Sequence, residues 1–407
     1  MAPRPPKGGG KTFNMTQKNS LYKPPFRGVW WARILVGLLF IFSGLIKIND
    51  PLGFSYKLEE YFEVFHITFL NNFALSIAVI LCSLEIILGF ALLIGVRAVS
   101  VAWGLLLLII FFAFLTFYSA YFKVVQTCGC FGDAIPLTPW QSFSKDLVLL
   151  LLISVLFVNR RVINPIFNKK TGDQLLIASA VVAVGLGLYT YNFMPVIDFL
   201  PYKVGANILD EMKTPPGAKP DEYEITYHLK NKKTGDTKVM SDKEYMKTGI
   251  WKDNNWVVEG TPESVLVKKG FAPKIQDLAI KDAQGTDYTK EVLSSPFNNL
   301  IIVAYDLQHT NVEAVRNLNA LAITLLQNHN ISAVPVLLTS NSPRDAEAFV
   351  KANHLVAEVF YADGVPLKTM VRANPGVFLM KNGTIINKWH YHSMPKYEDL
   401  VREYFQK

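Results

Sequence analysis

The sequence predicts a membrane-embedded all-α bundle followed by a soluble α/β domain that carries a small β-rich insertion. Three observations predict it. Half of the 407 residues are hydrophobic, and five apolar runs approach the roughly 20 residues that a helix needs to cross a hydrocarbon core. After about residue 194 the composition turns polar and mixed in charge. From about residue 275 strand-like and helix-like segments alternate, the pattern of a sheet flanked by helices.

Residues 1–29 carry Arg4, Lys7, Lys11, Lys18, Lys23 and Arg27 and no acid, among Pro and Gly. They are expected to form a disordered cytoplasmic tail, with Met15 as an alternative start. The formal charge of +8 would suit nucleic acid, but basic excess beside a first span is an orientation signal before it is a binding site. No nucleic-acid partner is expected.

The five runs are 30–48, 73–95, 98–118, 144–159 and 174–193. The first is too long, and too poorly followed by small residues, to be a removable signal peptide. Trp30, Trp31, Tyr118, Tyr189 and Tyr191 stand near run ends, as interfacial aromatics do. The connection after the second run has Arg97, and that after the fourth has Arg160, Arg161, Lys169 and Lys170, so both are expected in the cytoplasm with the N-terminus. The connection after the first run holds Asp50, Glu59, Glu60 and Glu63 against Lys47 and Lys57 and belongs outside. The third connection and everything beyond the fifth run are then outside too. This places the chain in a bacterial inner membrane, among lipid, with its C-terminal part in the oxidising periplasm.

Two of the three cysteines, Cys128 and Cys130, flank Gly129 in that third connection, "TCGCFGDAIPLTP". Gly129 allows the tight bend that would let the two sulfurs meet. A disulfide closing so small a ring is strained, and strained disulfides are the labile, catalytic ones. A structural staple and a half metal site are the alternatives. Metal is disfavoured, because two thiolates are too few for a closed zinc site and the third cysteine, Cys82, lies inside a span. Heme is not expected either: there is no CxxCH, and the seven histidines are not paired within spans.

Cys82, Glu85 and Gly89 fall on one face of the second span. A carboxylate at membrane depth is costly, which makes Glu85 a functional candidate by default. Ser43 and Lys47 of "FSGLIKIND" are its expected partners, with Lys47 facing an acid or a quinone-type oxygen. Helix packing by polar contact is the competing reading.

The elements "FSGLIKINDP", "LEIILG" and "CGCFGD" resemble the DoxX family in its MauE-type redox-associated branch, over residues 30–160. The resemblance implies a four-helix membrane bundle that serves disulfide formation or electron transfer at the periplasmic face. Cys128 and Cys130 match its cysteine motif directly; Ser43, Lys47 and Glu85 match approximately.

Beyond the fifth span, residues 200–270 read as a β-rich subdomain, with turns at Pro215-Pro216-Gly217 and Thr234-Gly235-Asp236. In 271–407 a hairpin is expected over "IQDLAIKDAQGTDYTKEVL". Strands then follow at "NNLIIVAYDL", "AVPVLLTS" and "AEVFYAD", separated by helices at "NVEAVRNLNALAITLLQNH" and "PRDAEAFVKANH". A hairpin turned at Asn382-Gly383 and a helix from about Pro395 close the chain. This order resembles the TlpA-like periplasmic thioredoxins, whose cis-proline would be Pro375, after Asn374. Where such a domain opens its first helix with CxxC, this chain reads "YDLQHTN". Without thiols the domain cannot exchange disulfides by itself. It can still hold an extended client peptide, in a groove flanked by Tyr305, Asp306, His309, Asn374 and Pro375. His309 also reads as a solvated neighbour of a helix cap.

Two functions therefore compete. In the first, Cys128 and Cys130 cycle between thiol and disulfide, Ser43, Lys47 and Glu85 serve a quinone or tune the thiolate, and the outer domain presents clients. In the second, the cysteines are a staple and the chain is an anchored binding or scaffold protein. A transporter built on Glu85 has no inverted repeat or broken helix to support it.

Overall fold

The computed structural model describes residues 27–125, 129–219, 222–260, 263–268, 270–271, 273–328 and 333–406. The tail expected over 1–29 lies outside these up to residue 26, and so does Cys128; residues 27–29 open the first helix.

Helix α1 (Arg27–Asn49) is followed by α2 (Pro51–Val64), α3 (Ala74–Ile94), α4 (Ala98–Phe122), α5 (Pro139–Val158) and α6 (Lys169–Phe193). All but α2 are long and apolar enough to cross a membrane, α3 together with the turn that precedes it from Thr68. Polar caps extend these helices past their apolar runs. Thr138 and Gln141 close a capping box around Pro139, at 3.3 and 3.0 Å, so α5 begins five residues before the run expected at 144. The Asn168 side chain accepts from the Thr171 N–H at 2.9 Å at the start of α6.

Helix α2, in a segment read only as a connection, is a departure from the sequence reading. Asp50 accepts from the Gly53 N–H at 2.9 Å and Pro51 occupies the first turn, a start signal that hydropathy does not register.

Past α7 (Ile208–Glu211), an antiparallel sheet forms from β1 (Glu222–Asn231), β2 (Thr237–Ser241), β3 (Trp256–Val258) and β4 (Glu263–Lys268), with α8 (Asp242–Thr248) between β2 and β3. All three partners pair with β1. The hairpin expected over 275–293 is replaced by an isolated bridge, Lys281 to Asp287, and α9 (Thr289–Leu293). Lys281 bridges to Tyr361 as well, so tertiary pairing takes the backbone groups that a ladder would have used.

The final domain runs β5 (Asn298–Val303), α10 (Val312–Gln327), β6 (Ala333–Thr339), α11 (Pro343–Asn353), β7 (Glu358–Tyr361), α12 (Gly364–Met370), β8 (Gly376–Lys381), β9 (Thr384–His390) and α13 (Tyr397–Tyr404). The sheet order is β7-β6-β5-β8-β9. β5, β6 and β7 are parallel, while β8 and β9 are antiparallel to their neighbours. This is a thioredoxin-like α/β domain. Its central strands carry apolar residues on both faces because both faces are covered. Ile301, Val303, Val336 and Phe378 pack on one side with Leu367 and Met370, and Leu300, Ile302, Leu337 and Val377 on the other with Leu318, Leu325 and Leu400. The β8–β9 hairpin turns at Asn382 and Gly383, both at positive φ, as a two-residue hairpin loop requires.

Two compact units emerge. One gathers residues 27–45, 83–125 and 137–183; the other gathers 46–82, 129–136 and the described residues from 184 on. In the first, Arg33 donates to the carbonyls of Leu92 and Leu93, at 2.8 and 2.7 Å, and so satisfies the last turn of α3. The first contains Ser43 and Glu85, and the second contains Cys130, Lys47 and the residues around the cis-proline.

Candidate functional site

Cys130 lies in a turn in which Gly132 N–H donates to the Gly129 carbonyl at 3.0 Å. Both glycines are at positive φ, +67° and +52°, where an L side chain would be strained. A Cβ at Gly129 would meet Lys57 of α2 at 3.4 Å, and one at Gly132 would meet Ile46 at 3.5 Å. The Cys130 turn is thus seated against the end of α1 and against α2.

Directly after the turn, Asp133 accepts from Arg372 Nη2 at 3.2 Å. Arg372 lies just beyond α12 and is only 4% exposed. Its Nε donates to both carboxylate oxygens of Asp50, at 3.0 and 2.8 Å, and its Nη1 to the Lys368 carbonyl. Burial works to lower the guanidinium pKa, and the two carboxylates more than offset it, so the net direction is upward. Burial pushes the Asp133 carboxyl up, with Arg372 opposing.

Beside this pair the Tyr56 and Tyr305 hydroxyls share a hydrogen bond of 3.2 Å, and Lys368 Nζ lies 4.8 Å from the Tyr56 ring centroid and 6.0 Å from that of Tyr305. Burial raises both phenol pKa values. Asp50, Asp133 and Arg372 each follow an odd number of spans in the chain. Their contacts agree with that count of candidate spans.

The residues expected to hold a peptide gather around the cis Asn374–Pro375 bond. Asn374 Nδ2 donates to the Asp306 carbonyl at 2.7 Å, and the Asn374 carbonyl accepts from Asn311 N–H at 3.1 Å, so the proline loop is tied to the turn after β5. Burial raises the Asp306 carboxyl, but the His309 imidazole at 2.7 Å and the Gln308 N–H outweigh it and hold the group below its usual value. His309 itself is 81% exposed on its side chain and precedes the Asn311 cap of α10, the cap-neighbour arrangement. Tyr305 and Asp306 also line a cleft of about 460 Å³ with Ser340, Asn341, Asp363 and Lys368.

Within the spans, Ser43 donates to Glu85 Oε2 at 2.8 Å. Glu85 and Cys82 are both buried. Lys47, also buried, holds its ammonium 5.1 Å from the centre of the Phe54 ring. Among the described residues no three His, Cys, Asp or Glu side chains gather into a set fit for a metal ion.

Sequence reasoning passed over Arg372, Asp50, Tyr56 and Lys368, for which only the three-dimensional meeting carries a signal. It also passed over Asp146, fully buried in α5, which accepts from Thr116 Oγ1 at 3.0 Å and pairs with Lys145. An acid in "SKDLVLLLL" was a usable sign.

Residues 27–159 match the family model of the methylamine utilisation protein MauE. A curated relative, Protein TlpB of Flavobacterium psychrophilum, is 31% identical over 148 residues, 35% of this chain. The match spans 38% of that protein's length. No solved structure matches.

Proposed function

We propose that this chain is an inner-membrane thiol–disulfide redox protein that supports disulfide formation or electron transfer in the periplasm. The observation that carries the reading is the seating of the Cys130 turn. Asp133, directly after the turn, is held by Arg372, which stands three positions before the cis-proline of a thioredoxin-like domain that has no cysteine of its own. The domain thus borrows a thiol from the membrane part. The MauE match over 27–159 supports the same reading, with the wider DoxX and TlpA-like resemblances extending it.

Cys128 and Cys130 are the redox pair in this scheme. Oxidising two thiols to one disulfide releases two electrons and two protons, and a bound quinone supplies an acceptor for both. A quinone oxygen needs a hydrogen-bond donor, which the Lys47 ammonium possesses. The single Ser43 O–H is already donated to Glu85, so Ser43 meets a quinone through its oxygen alone and Glu85 fixes the direction of that hydroxyl. Clients lie along the Tyr305, Asp306 and Asn374 edge, beside the cleft.

The absence of cysteine beyond Cys130 favours a second reading, an anchored scaffold whose Cys-Gly-Cys is a staple. Thiol trapping of the detergent-solubilised protein in graded dithiol buffers, then with added quinone, separates the two. The redox reading expects a potential well above about −300 mV and quinone-dependent reoxidation. A pair that resists reduction and ignores quinone overturns it in favour of the scaffold.

A further inference from the structure

We propose that Arg372 is a positioning residue for the Cys130 thiol: through Asp133 the cysteine-free domain sets both the placement of the turn and the charge around it. The proposal rests on the reading above in taking Cys130 as a reacting thiol.

The turn needs holding. Gly129 and Gly132 bound it, both at positive φ, and glycine gives a chain segment the largest conformational freedom to lose. Asp133 is the first charged side chain beyond the turn, and Arg372 grips it. Stability alone does not ask for this arrangement. A buried ion pair is commonly matched or bettered by apolar side chains of similar size, and Asp50 with the Lys368 carbonyl already engages two of the three guanidinium nitrogens. The third nitrogen is spent on a different chain segment, the one that carries the cysteine.

The charge also lies within reach. Asp133 is three positions beyond Cys130, and three extended residues span at most about 11 Å, an upper bound not far above the Debye length of about 8 Å at physiological ionic strength. The buried Arg372 charge is screened less than that, while the Asp133 side chain is half exposed. Removing the Arg372 cation leaves Asp133 facing Lys57 of α2, itself paired to Glu60, in place of a guanidinium in contact with it, which disfavours a thiolate. Removing the Asp133 anion does the reverse.

These opposite signs make the test. In full-length detergent-solubilised protein carrying Cys128→Ser, the pH dependence of Cys130 alkylation is read by site-resolved mass spectrometry, which separates it from Cys82. Arg372→Gln is expected to raise the Cys130 pKa and slow alkylation at pH 7 by about twofold to tenfold. Asp133→Asn is expected to lower the pKa and speed alkylation, and Arg372→Lys to lie close to the parent. Shifts of the same sign in Arg372→Gln and Asp133→Asn would mean simple loosening of the turn and would overturn the proposal. So would an unchanged profile in either. If Arg372→Gln does not fold, Asp133→Asn decides alone, since loosening without a change in charge does not speed the reaction at low pH. Quinone takes no part in this measurement: opposite shifts alongside indifference to quinone would sink the function and leave the positioning role standing.

Discussion

Arg372 and Asp50 are separated by 322 residues yet share two hydrogen bonds from one nitrogen. Breaking a buried pair leaves a desolvated charge behind, at about 3–5 kcal/mol. Asp50→Ala is therefore expected to lower the unfolding free energy by about that much, as measured by chemical denaturation in detergent. By contrast, loss of the exposed Lys213–Asp210 pair should be close to undetectable. His390 adds a dependence on pH. Burial, then His392 stacked 4.7 Å away, pushes its imidazole down to about 4. Between 6.5 and about 4 the unfolded chain binds a proton that the folded chain refuses, so stability is full above that window and falls as pH drops through it. His390→Gln should flatten the decline in a pH series of thermal melts.

At the level of elements, two glycines in α1 and α3 permit a close approach of helices. A Cβ at Gly89 would stand 2.7 Å from the Gly37 carbonyl oxygen, a backbone atom that cannot swing aside. Alanine usually favours a helix over glycine by about 1 kcal/mol, but overpacking costs about 1–3 kcal/mol, so Gly89→Ala should destabilise. Gly185 in α6 has nothing within 4 Å of such a Cβ, and Gly185→Ala should be neutral or better; thermal unfolding of both variants checks the contrast. The spans were legible because length and apolarity are local properties, and the β8–β9 hairpin because Asn382-Gly383 encodes its own turn. Helix α2 was not read, since Asp50-Pro51 sits in a charged segment with no apolar run to draw attention. The 275–293 hairpin failed for a tertiary reason, the bridge from Lys281 to Tyr361.

For the molecule as a whole, the strand and helix order of the last domain was readable from pattern, and so were Cys130, Ser43 and Glu85 as candidates. The setting of the site was not. Arg372 is one basic residue among 41, and only folding joins it to Asp50 and Asp133. The same long-range pairing marks Lys388, 6% exposed on its side chain and matched to Asp198, whose ammonium burial lowers in pKa. A soluble fragment of residues 200–407 would keep both cations and lose all three acids. It is expected to unfold more readily than the same domain in the full chain. Arg372→Met with Lys388→Met should raise the fragment's unfolding midpoint, and denaturation of the two fragments side by side tests this.

Helix α6 lies beyond the residues that match the MauE model, and it is the least buried of the five apolar helices. A four-crossing module hands the chain back to the compartment it came from, so a soluble domain joined straight to its end would be stranded away from the cysteine turn. One more crossing cures that. Helix α6 would then serve as an adapter between two modules, packed at Thr190, which donates to the Ile48 carbonyl at 2.7 Å, and otherwise largely exposed. Its lipid-facing positions should tolerate wholesale exchange for another apolar sequence, whereas its deletion should leave the outer domain folded in the wrong compartment, with Arg372 out of reach of Asp133.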